Sequence, residues 1–334
     1  MERFVFVAAI AIAIIFGIGA VFGGPHFNFH ADWDDEDGMR GTAAIVAVAP
    51  GSMAAQTFEG DSLRLRHLAA VVTIMPEERS DFSVEIDNSA GRLPMPAVAS
   101  EGGRVVIDGQ LRGRVRDCNE GGGAGVRGYG EGEFASTDLP RITIRAPRTL
   151  NIDRSGAGTT EIGPTQALTL DVSGCSATTA GDVAGAVELD VAGSGDVRIG
   201  AAASLNADIA GSADVSVGAV AGNAEIDIAG SGSATLASLT GDLNADGAGS
   251  GSIEVQGGSV ATAEIDLAGS GDVTIAAPVQ SLNVSIVGSG DVDVNGVVGD
   301  LEAEIAGSGG VSAQSVTGSV RQEVWGSGEV SVGR

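Results

Sequence analysis

The chain has 334 residues, a formal net charge of -26, 43% hydrophobic residues and only 4% aromatic residues. All 18 basic residues are arginines, and so acidic a chain excludes nucleic acid as a partner, because counterion release requires a basic surface. Alanine and β-branched residues supply most of the apolar content beside 53 glycines, so the core must be built from many small side chains.

The first predicted element is an export segment at residues 1–23. The stretch from Phe4 to Phe22 carries no charge and approaches the ~30 Å thickness of a bilayer core when helical. It is either an uncleaved signal anchor or a signal peptide cleaved near "GIGA" at 17–20. Arg3 precedes it and acidic residues follow it. This charge order predicts an exported protein, either anchored in a bacterial inner membrane and facing the periplasm or cell surface, or released as a periplasmic or secreted protein.

Two irregular regions follow. Residues 24–55 are acidic and then rich in Ala and Gly, which predicts a flexible tether. Residues 56–154 contain short alternating stretches such as "DFSVEI" and "RVVIDG", which predict an irregular β cap and the first turns of a larger domain. Within that region, the glycine-rich stretch at 113–134 is predicted to be a long mobile loop.

Residues 155–334 repeat one phrase that turns at a Gly-Ser-Gly corner or a close variant of it. The corners are spaced by 18 to 20 residues and start at Gly193, Gly211, Gly230, Gly249, Gly269, Gly288, Gly307 and Gly326. A period of this length indicates a solenoid. Apolar and polar residues alternate on both sides of each corner, which predicts strands with one inward face.

The repeat therefore predicts an all-β fold, a parallel β-helix of about 19-residue rungs with neighbouring rungs ~4.8 Å apart. Aliphatic residues at equivalent positions, such as Ile209, Ile228 and Leu267, are expected to lie directly over one another. Gly247 is the exception in this column.

An acidic ladder is the most informative outward feature. Its members stand three residues before successive corners, and they include Asp190, Asp208, Asp227, Asp246 and Asp266. Carboxylates ~4.8 Å apart repel by about 1 kcal/mol in bulk water and by more at lower dielectric. The ladder is therefore either a low-affinity site for divalent cations such as Ca²⁺ or a solvated face that also blocks lateral sheet association. No other cofactor is expected.

Cys118 and Cys175 are the only cysteines. Outside the cytoplasm they form either a disulfide or two free thiols. A bridge would tie the glycine-rich loop onto an early rung.

The final rung departs from its predecessors. Gln322 occupies an inward position and Trp325 replaces the usual alanine before the corner. Terminal repeats need altered residues to stay soluble, so this pair is either an end cap or a contact for a partner or a second copy.

The "AGSGDV" corners, the stretch "FEGDSLRLRHLAAVVTIMPEERSDFSVEIDNSAGRL" and the strand "GRVVIDG" resemble the autotransporter adhesin head called the GIN domain, a bacterial envelope family. The resemblance covers about residues 56–334 and implies a right-handed β-helix, similar to pectin lyases and filamentous haemagglutinins, with an adhesin-like role. The family's Gly-Ile-Asn triplet is missing, and the chain ends on a solenoid rung at Arg334. We therefore expect that the protein is not itself an autotransporter.

These observations favour a non-catalytic exported envelope protein that presents an acidic β-helix face to a surface glycan or an envelope protein. A pectin-lyase-like polysaccharide enzyme is one alternative. It is disfavoured because residues 155–334 contain only three bases, Arg198, Arg321 and Arg334, and one aromatic residue. No catalytic residue is expected. A periplasmic protein that binds divalent cations is the other alternative.

Overall fold

The computed structural model describes residues 46–119, 122–130 and 132–333. The export segment predicted at 1–23 and most of the tether predicted at 24–55 lie outside the described residues. Within the described ranges, no helix has both the length and the apolar character needed to cross a membrane.

The described chain is all-β, as predicted, apart from a short 3-10 turn at Ser136–Asp138. In chain order the strands are β1 Gly51–Phe58, β2 Ser62–Glu77, β3 Phe82–Asn88, β4 Ala97–Glu101, β5 Arg104–Asp108, β6 Val115–Asn119, β7 Gly123–Val126, β8 Glu133–Phe134, β9 Arg141–Pro147, β10 Thr149–Ile162, β11 Ala167–Gly174, β12 Ala177–Ala180, β13 Ala186–Gly193, β14 Val197–Ile199, β15 Ser204–Gly211, β16 Asp214–Val220, β17 Ala224–Gly230, β18 Ser233–Gly249, β19 Ser252–Val255, β20 Gly258–Gly269, β21 Asp272–Ile275, β22 Val279–Gly288, β23 Asp291–Gly307, β24 Gly310–Val316, β25 Val320–Gly326 and β26 Glu329–Val332.

Equivalent strands pair in parallel from rung to rung, which confirms a β-solenoid with rungs of about 19 residues. Ile209 pairs with Ile228, Ile228 with Gly247, and Gly247 with Leu267. The inward column predicted from the repeat is therefore confirmed. One buried cluster of mostly Val, Ile, Leu and Ala side chains runs from β2 to β24. Because each rung contributes few apolar atoms, its burial depends on the rungs stacked on either side.

Antiparallel strands cover the N-terminal end of the solenoid. β5 and β9 pair in parallel with β2, and their other edges pair antiparallel with β4 and β3. β1 then pairs antiparallel with β3, with Gly51 opposite Asn88. Among the described residues, regular structure therefore begins at Gly51, so the last five residues of the predicted tether belong to a strand, because β3 supplies an edge that pairs with their backbone.

The glycine-rich stretch at 113–134 differs from the predicted loop. It contains β6, β7 and β8, which form a small antiparallel sheet. Val126, Tyr129 and Phe134 are buried there against Leu93 and Leu111. This second apolar cluster gives the segment its own small core, which the glycine-rich composition did not predict.

Candidate functional site

Seven aspartates form a continuous line along the outside of the solenoid, called here the aspartate column. Each member pairs directly with the next, and the column consists of Asp153, Asp171, Asp190, Asp208, Asp227, Asp246 and Asp266. Neighbouring strands lie about 4.8 Å apart. The in-register pairing thus holds one carboxyl group beside the next over seven rungs.

Both ends of the aspartate column meet residues of different chemistry. At the N-terminal end, Asp153 pairs with Arg64 on β2, and Nε of Arg64 lies 2.9 Å from Oδ2 of Asp153. At the other end, Asp266 pairs with Ser285 and shares a side-chain hydrogen bond with it. A cation and a hydroxyl group therefore bound the line of carboxyl groups.

Protonation is most strongly favoured at the centre of the column. Burial, together with repulsion from Asp246 and Asp208, raises the pKa of Asp227 to about 8. Burial also raises the pKa of Asp246, and burial with repulsion from Asp190 raises the pKa of Asp208 to about 6. Side-chain hydrogen bonds join Asp227 to both of these neighbours. Near neutral pH, Asp227 therefore keeps its proton and relieves the repulsion between the carboxylates beside it.

The pKa values of Asp171 and Asp266 are raised for the same reasons. Burial and repulsion from Asp153 raise the pKa of Asp171 to about 6, although the charge of Arg64 opposes this shift. Burial and repulsion from Asp246 raise the pKa of Asp266 to about 6. The column therefore mixes protonated and ionised carboxyl groups around neutral pH, so it offers both hydrogen-bond donors and acceptors.

Two further columns flank the aspartates on the same outer face. On one side, Glu and Asn alternate from rung to rung through Glu188, Asn206, Glu225, Asn244 and Glu264. Their side chains line a shallow groove of about 520 Å³. On the other side runs a column of alanines, Ala192, Ala210, Ala229, Ala248 and Ala268. The face thus presents a flat apolar strip beside a repeating array of carboxyl and amide groups.

The aspartate column differs in geometry from a typical calcium site. Across the described ranges, no group of three or more His, Cys, Asp or Glu side chains is placed to hold a metal ion. Ca²⁺ takes about six to eight oxygen ligands, whereas a straight column brings together only the carboxyl groups of adjacent rungs. The ladder at Asp190, Asp208, Asp227, Asp246 and Asp266 is a line of carboxyl groups on the outer face, and the divalent-cation site predicted for it stays a prediction.

Cys118 and Cys175 form a disulfide in the structure. Cys118 lies on β6 and Cys175 lies at the corner after β11. The bond joins the small antiparallel sheet to the side of the rod, next to the cluster that contains Tyr129 and Phe134.

Gln322 and Trp325 both lie on β25 in the last rung. Gln322 pairs with Ala303 at an inward position. Trp325 pairs with Ala306, in the line that continues from the alanine column through Val287. Both residues are exposed, Trp325 by 37%. Their exposure makes the C-terminal end of the described rod a second candidate contact surface.

Sequence reasoning missed Arg64 and Asp153, which start the column. Asp153 falls outside the regular phrase because the corner that follows it, at Gly156, reads Gly-Ala-Gly instead of Gly-Ser-Gly. Arg64 stands at an outward position in "SLRLRHL", where the alternation of apolar residues and arginines was the available signal.

The solved structures that are similar to this chain include three from Parabacteroides species. One, described as "a putative adhesin" from Parabacteroides merdae ATCC 43184, is 15% identical, with 84% of this chain and 96% of that chain covered and a TM-score of 0.42. A "Putative lipid binding protein" from Parabacteroides distasonis ATCC 8503 is 15% identical, with 84% and 97% covered and a TM-score of 0.41. A "putative adhesin" from the same organism is 16% identical, with 83% and 95% covered and a TM-score of 0.38.

A comparison with curated proteins found no match. The match to a family model is extensive, because three overlapping segments, residues 98–221, 209–297 and 260–333, fit the same family. Together they span the small sheet and every solenoid rung that follows it. The chain therefore belongs to the family described as "Putative auto-transporter adhesin, head GIN domain".

Proposed function

We propose that this protein is a non-catalytic, exported module of the bacterial envelope that binds an extended glycan along its acidic face. In this proposal residues 1–23 direct export and anchor the chain, and the solenoid is right-handed, as the family resemblance implies. Membership of an adhesin head family supports a surface role. The observation that carries the proposal is the in-register aspartate column with its flanking Glu and Asn column.

A repeated face suits multivalent binding better than catalysis. Every rung presents nearly the same carboxyl and amide groups, so a polymer with its own repeat can make many equivalent weak contacts at once. A catalytic site instead requires one distinct, water-excluding pocket. The groove beside the column is shallow and is lined by the repeating residues themselves.

The charges on the face restrict the chemistry of the ligand. A formal net charge of -26 and stacked carboxyl groups repel acidic polymers. Hydroxyl groups of a neutral glycan, or amino groups of a cationic one, can instead hydrogen-bond to carboxylates, protonated carboxyl groups and side-chain amides. We therefore expect a neutral or cationic polysaccharide as the ligand.

The binding test uses the full chain in mild detergent against immobilised neutral, cationic and acidic polysaccharides. The test variant is D190N/D208N/D227N within the column. The matched control, D214N/D272N/D291N, makes three Asp-to-Asn substitutions outside the column, where Asp214, Asp272 and Asp291 accept hydrogen bonds through Oδ1, which an asparagine retains. We expect binding to a neutral or cationic polymer, an affinity loss of at least about tenfold in the column variant and near-normal binding by the control.

Three results would contradict this function. Binding to no polysaccharide, equal loss of affinity in both triple variants, or release of new sugar ends from the polymers would each count against a non-catalytic glycan-binding face. Export is tested separately by cell fractionation and carbonate extraction of membranes. An anchored chain stays in the membrane pellet and a cleaved one is released from the periplasm, whereas recovery in the cytosol would contradict export.

A further inference from the structure

The last rung of the rod has one paired edge and one bare edge. β25 pairs with β23 and β26 pairs with β24, and no strand in the described part of the chain pairs with their other edges. Apolar side chains are exposed next to this edge. Val320 is 46% exposed and Val324 is 37% exposed, although the equivalent positions in earlier rungs are inward and buried. The opposite end of the rod is instead extended by antiparallel strands.

The backbone of β25 directs a regular set of hydrogen-bonding groups outward from this edge. Leu301 on β23 pairs with Val320 and donates its N–H to the carbonyl of Ser319 at 2.9 Å. Alternate residues of a strand point their N–H and C=O groups to opposite neighbours. The backbone groups of Val320, Gln322 and Val324 therefore point away from β23, at the bare edge.

A second copy of β25 can pair with this edge only in certain antiparallel registers. Directly opposed residues must both point their backbone groups toward each other or both away. The next allowed register is therefore reached by sliding one strand by two residues, which moves the twofold axis by one residue. The axis can thus pass through Arg321, Gln322 or Glu323. An axis at Arg321 or Glu323 places two like charges opposite each other on the outer face, which is destabilising.

We propose that two copies of this chain pair end to end through β25, antiparallel and with the twofold axis at Gln322. In this register Arg321 of each copy lies opposite Glu323 of the other, and Val320 lies opposite Val324. The two Gln322 side chains face each other at the inward position, where both amides find a hydrogen-bonding partner. The edge of β25 therefore offers opposite charges on its outer face, apolar contacts on its inward face and backbone groups that pair between them. These features make the edge complementary to itself, as a twofold interface requires.

In the single chain, Arg321 already lies where it can pair with Glu323 of a second copy. Arg321 lies 3.2 Å from Glu302 of the preceding rung, and its side chain remains 76% exposed, so its guanidinium can bridge Glu302 and Glu323 of the second copy. Trp325 is exposed on the same outer face. Diagonal neighbours in an antiparallel pair lie within reach of aromatic side chains, so Trp325 can cover Arg321 of the second copy.

End-to-end pairing has a specific consequence if the rod is anchored at its N-terminus. Two rods that meet at their C-terminal ends carry their membrane anchors at opposite ends of the dimer. The dimer then connects two separate membrane surfaces. This consequence rests on the proposed function. The dimer itself does not, and it is tested by oligomeric state rather than by glycan binding.

Single cysteines test the register directly in the full chain. The two native cysteines are already bonded to each other, so new thiols report only the introduced positions. Hydrogen-bonded antiparallel pairs place their Cα atoms about 5.5 Å apart, within the range for a disulfide. Q322C should therefore cross-link to itself on mild oxidation, whereas R321C and E323C should cross-link only when the two proteins are mixed.

Charge reversal tests the interface without cysteines. Light scattering of the full chain in detergent should show a dimer that R321E weakens by at least about tenfold and that R321E/E323R restores. Q322P should also abolish the dimer, because its lost N–H points to the bare edge and costs the protomer no hydrogen bond. Thermal unfolding like that of the unsubstituted chain, compared at a concentration where both are monomeric, would confirm that each variant is folded.

Several outcomes would overturn the proposal. A monomer at every concentration with no Q322C cross-link excludes the interface. Self-cross-linking of E323C or R321C excludes the register. A dimer that survives Q322P is formed by another surface, such as the N-terminal segment.

Discussion

The guanidinium of Arg64 lies 2.9 Å from the carboxylate of Asp153 and ends the aspartate column with a positive charge. The side chains are only 17% and 29% exposed, so water screens the pair less than it would a surface ion pair. Burial and repulsion from Asp153 raise the pKa of Asp171, the next member, and the charge of Arg64 opposes that rise. The arginine therefore stabilises the carboxylates of the first two rungs of the column.

Replacing Arg64 with glutamine should destabilise the rod at neutral pH. Asp153 would keep its negative charge beside Asp171 without a counterion, and we expect the free energy of unfolding to fall by about 1–3 kcal/mol. The loss should shrink near pH 4, where protonation removes the repulsion. Urea unfolding at both pH values measures it. R148Q is the control, because its partner Glu78 is 87% exposed and the pair should contribute less than about 1 kcal/mol. Equal losses in both variants would refute the assigned role of Arg64.

Stability should fall as the pH rises, because the column takes up protons on folding. The pKa of Asp227 is about 8 in the folded state and its ordinary value is 3.8, so the folded chain binds more protons than the unfolded chain between these values. The loss of folding stability that comes from ionising Asp227 is absent below about pH 4 and is complete above about pH 8. Asp171, Asp208 and Asp266, with pKa values of about 6, add to it in the lower part of this range.

The variant D227N should remove the largest part of this dependence. Asparagine cannot ionise, so we expect a gain of about 1–2 kcal/mol at pH 8, after allowance for solvent screening, and little gain at pH 4. Thermal unfolding across this range measures it. D300N is the control. Hydrogen bonds from Ser319 lower the pKa of Asp300, so this substitution should reduce stability at neutral pH, whereas D227N should increase it. A gain for D227N that is equal at both pH values would show that proton uptake is not its cause.

Reducing the disulfide should loosen the small antiparallel sheet more than the solenoid. The bond closes a separation of 57 residues, which corresponds to about 4 kcal/mol in the chain-entropy account. In C118S/C175S, amide exchange should accelerate in β6, β7 and β8, while rungs beyond β13 keep their protection. Acceleration along the whole rod would instead indicate that the sheet and the solenoid unfold as one unit.

The solenoid was predictable from sequence because each rung repeats the same physical problem. Inward aliphatic residues at fixed spacing and a turning glycine define the register without any distant information. The exception at Gly247 became understandable only in three dimensions. A Cβ at Gly247 would lie 2.7 Å from Cδ2 of Leu267, so the larger residue of the next rung fills the space that the glycine leaves.

The cap and the start of the column were harder to predict because they depend on pairings between distant residues. Arg64 and Asp153 lie on strands separated by nearly ninety residues. The small core around Tyr129 and Phe134 is likewise assembled from segments whose local composition is typical of loops. Alternation can place Arg64 on the outer face but cannot identify Asp153 as its partner, which is why the sequence indicated the ladder but not the arginine that ends it.

The corner glycines should be intolerant of a side chain because the rungs are closely stacked. Gly269 has φ +131°, and a Cβ there would lie 2.3 Å from the carbonyl oxygen of Gly249 in the preceding rung. Backbone atoms on both sides must then move, so we expect G269A to cost about 3–5 kcal/mol, at the upper end for single substitutions. Gly102 is the matched control, because it also has positive φ, +58°, but has nothing within 4 Å of an added Cβ. G102A should cost only the conformational penalty of about 1–2 kcal/mol. The excess cost of G269A over G102A then reports the contact between rungs together with the less accessible φ of +131°. Equal costs would show that close stacking is not what requires glycine at the corners.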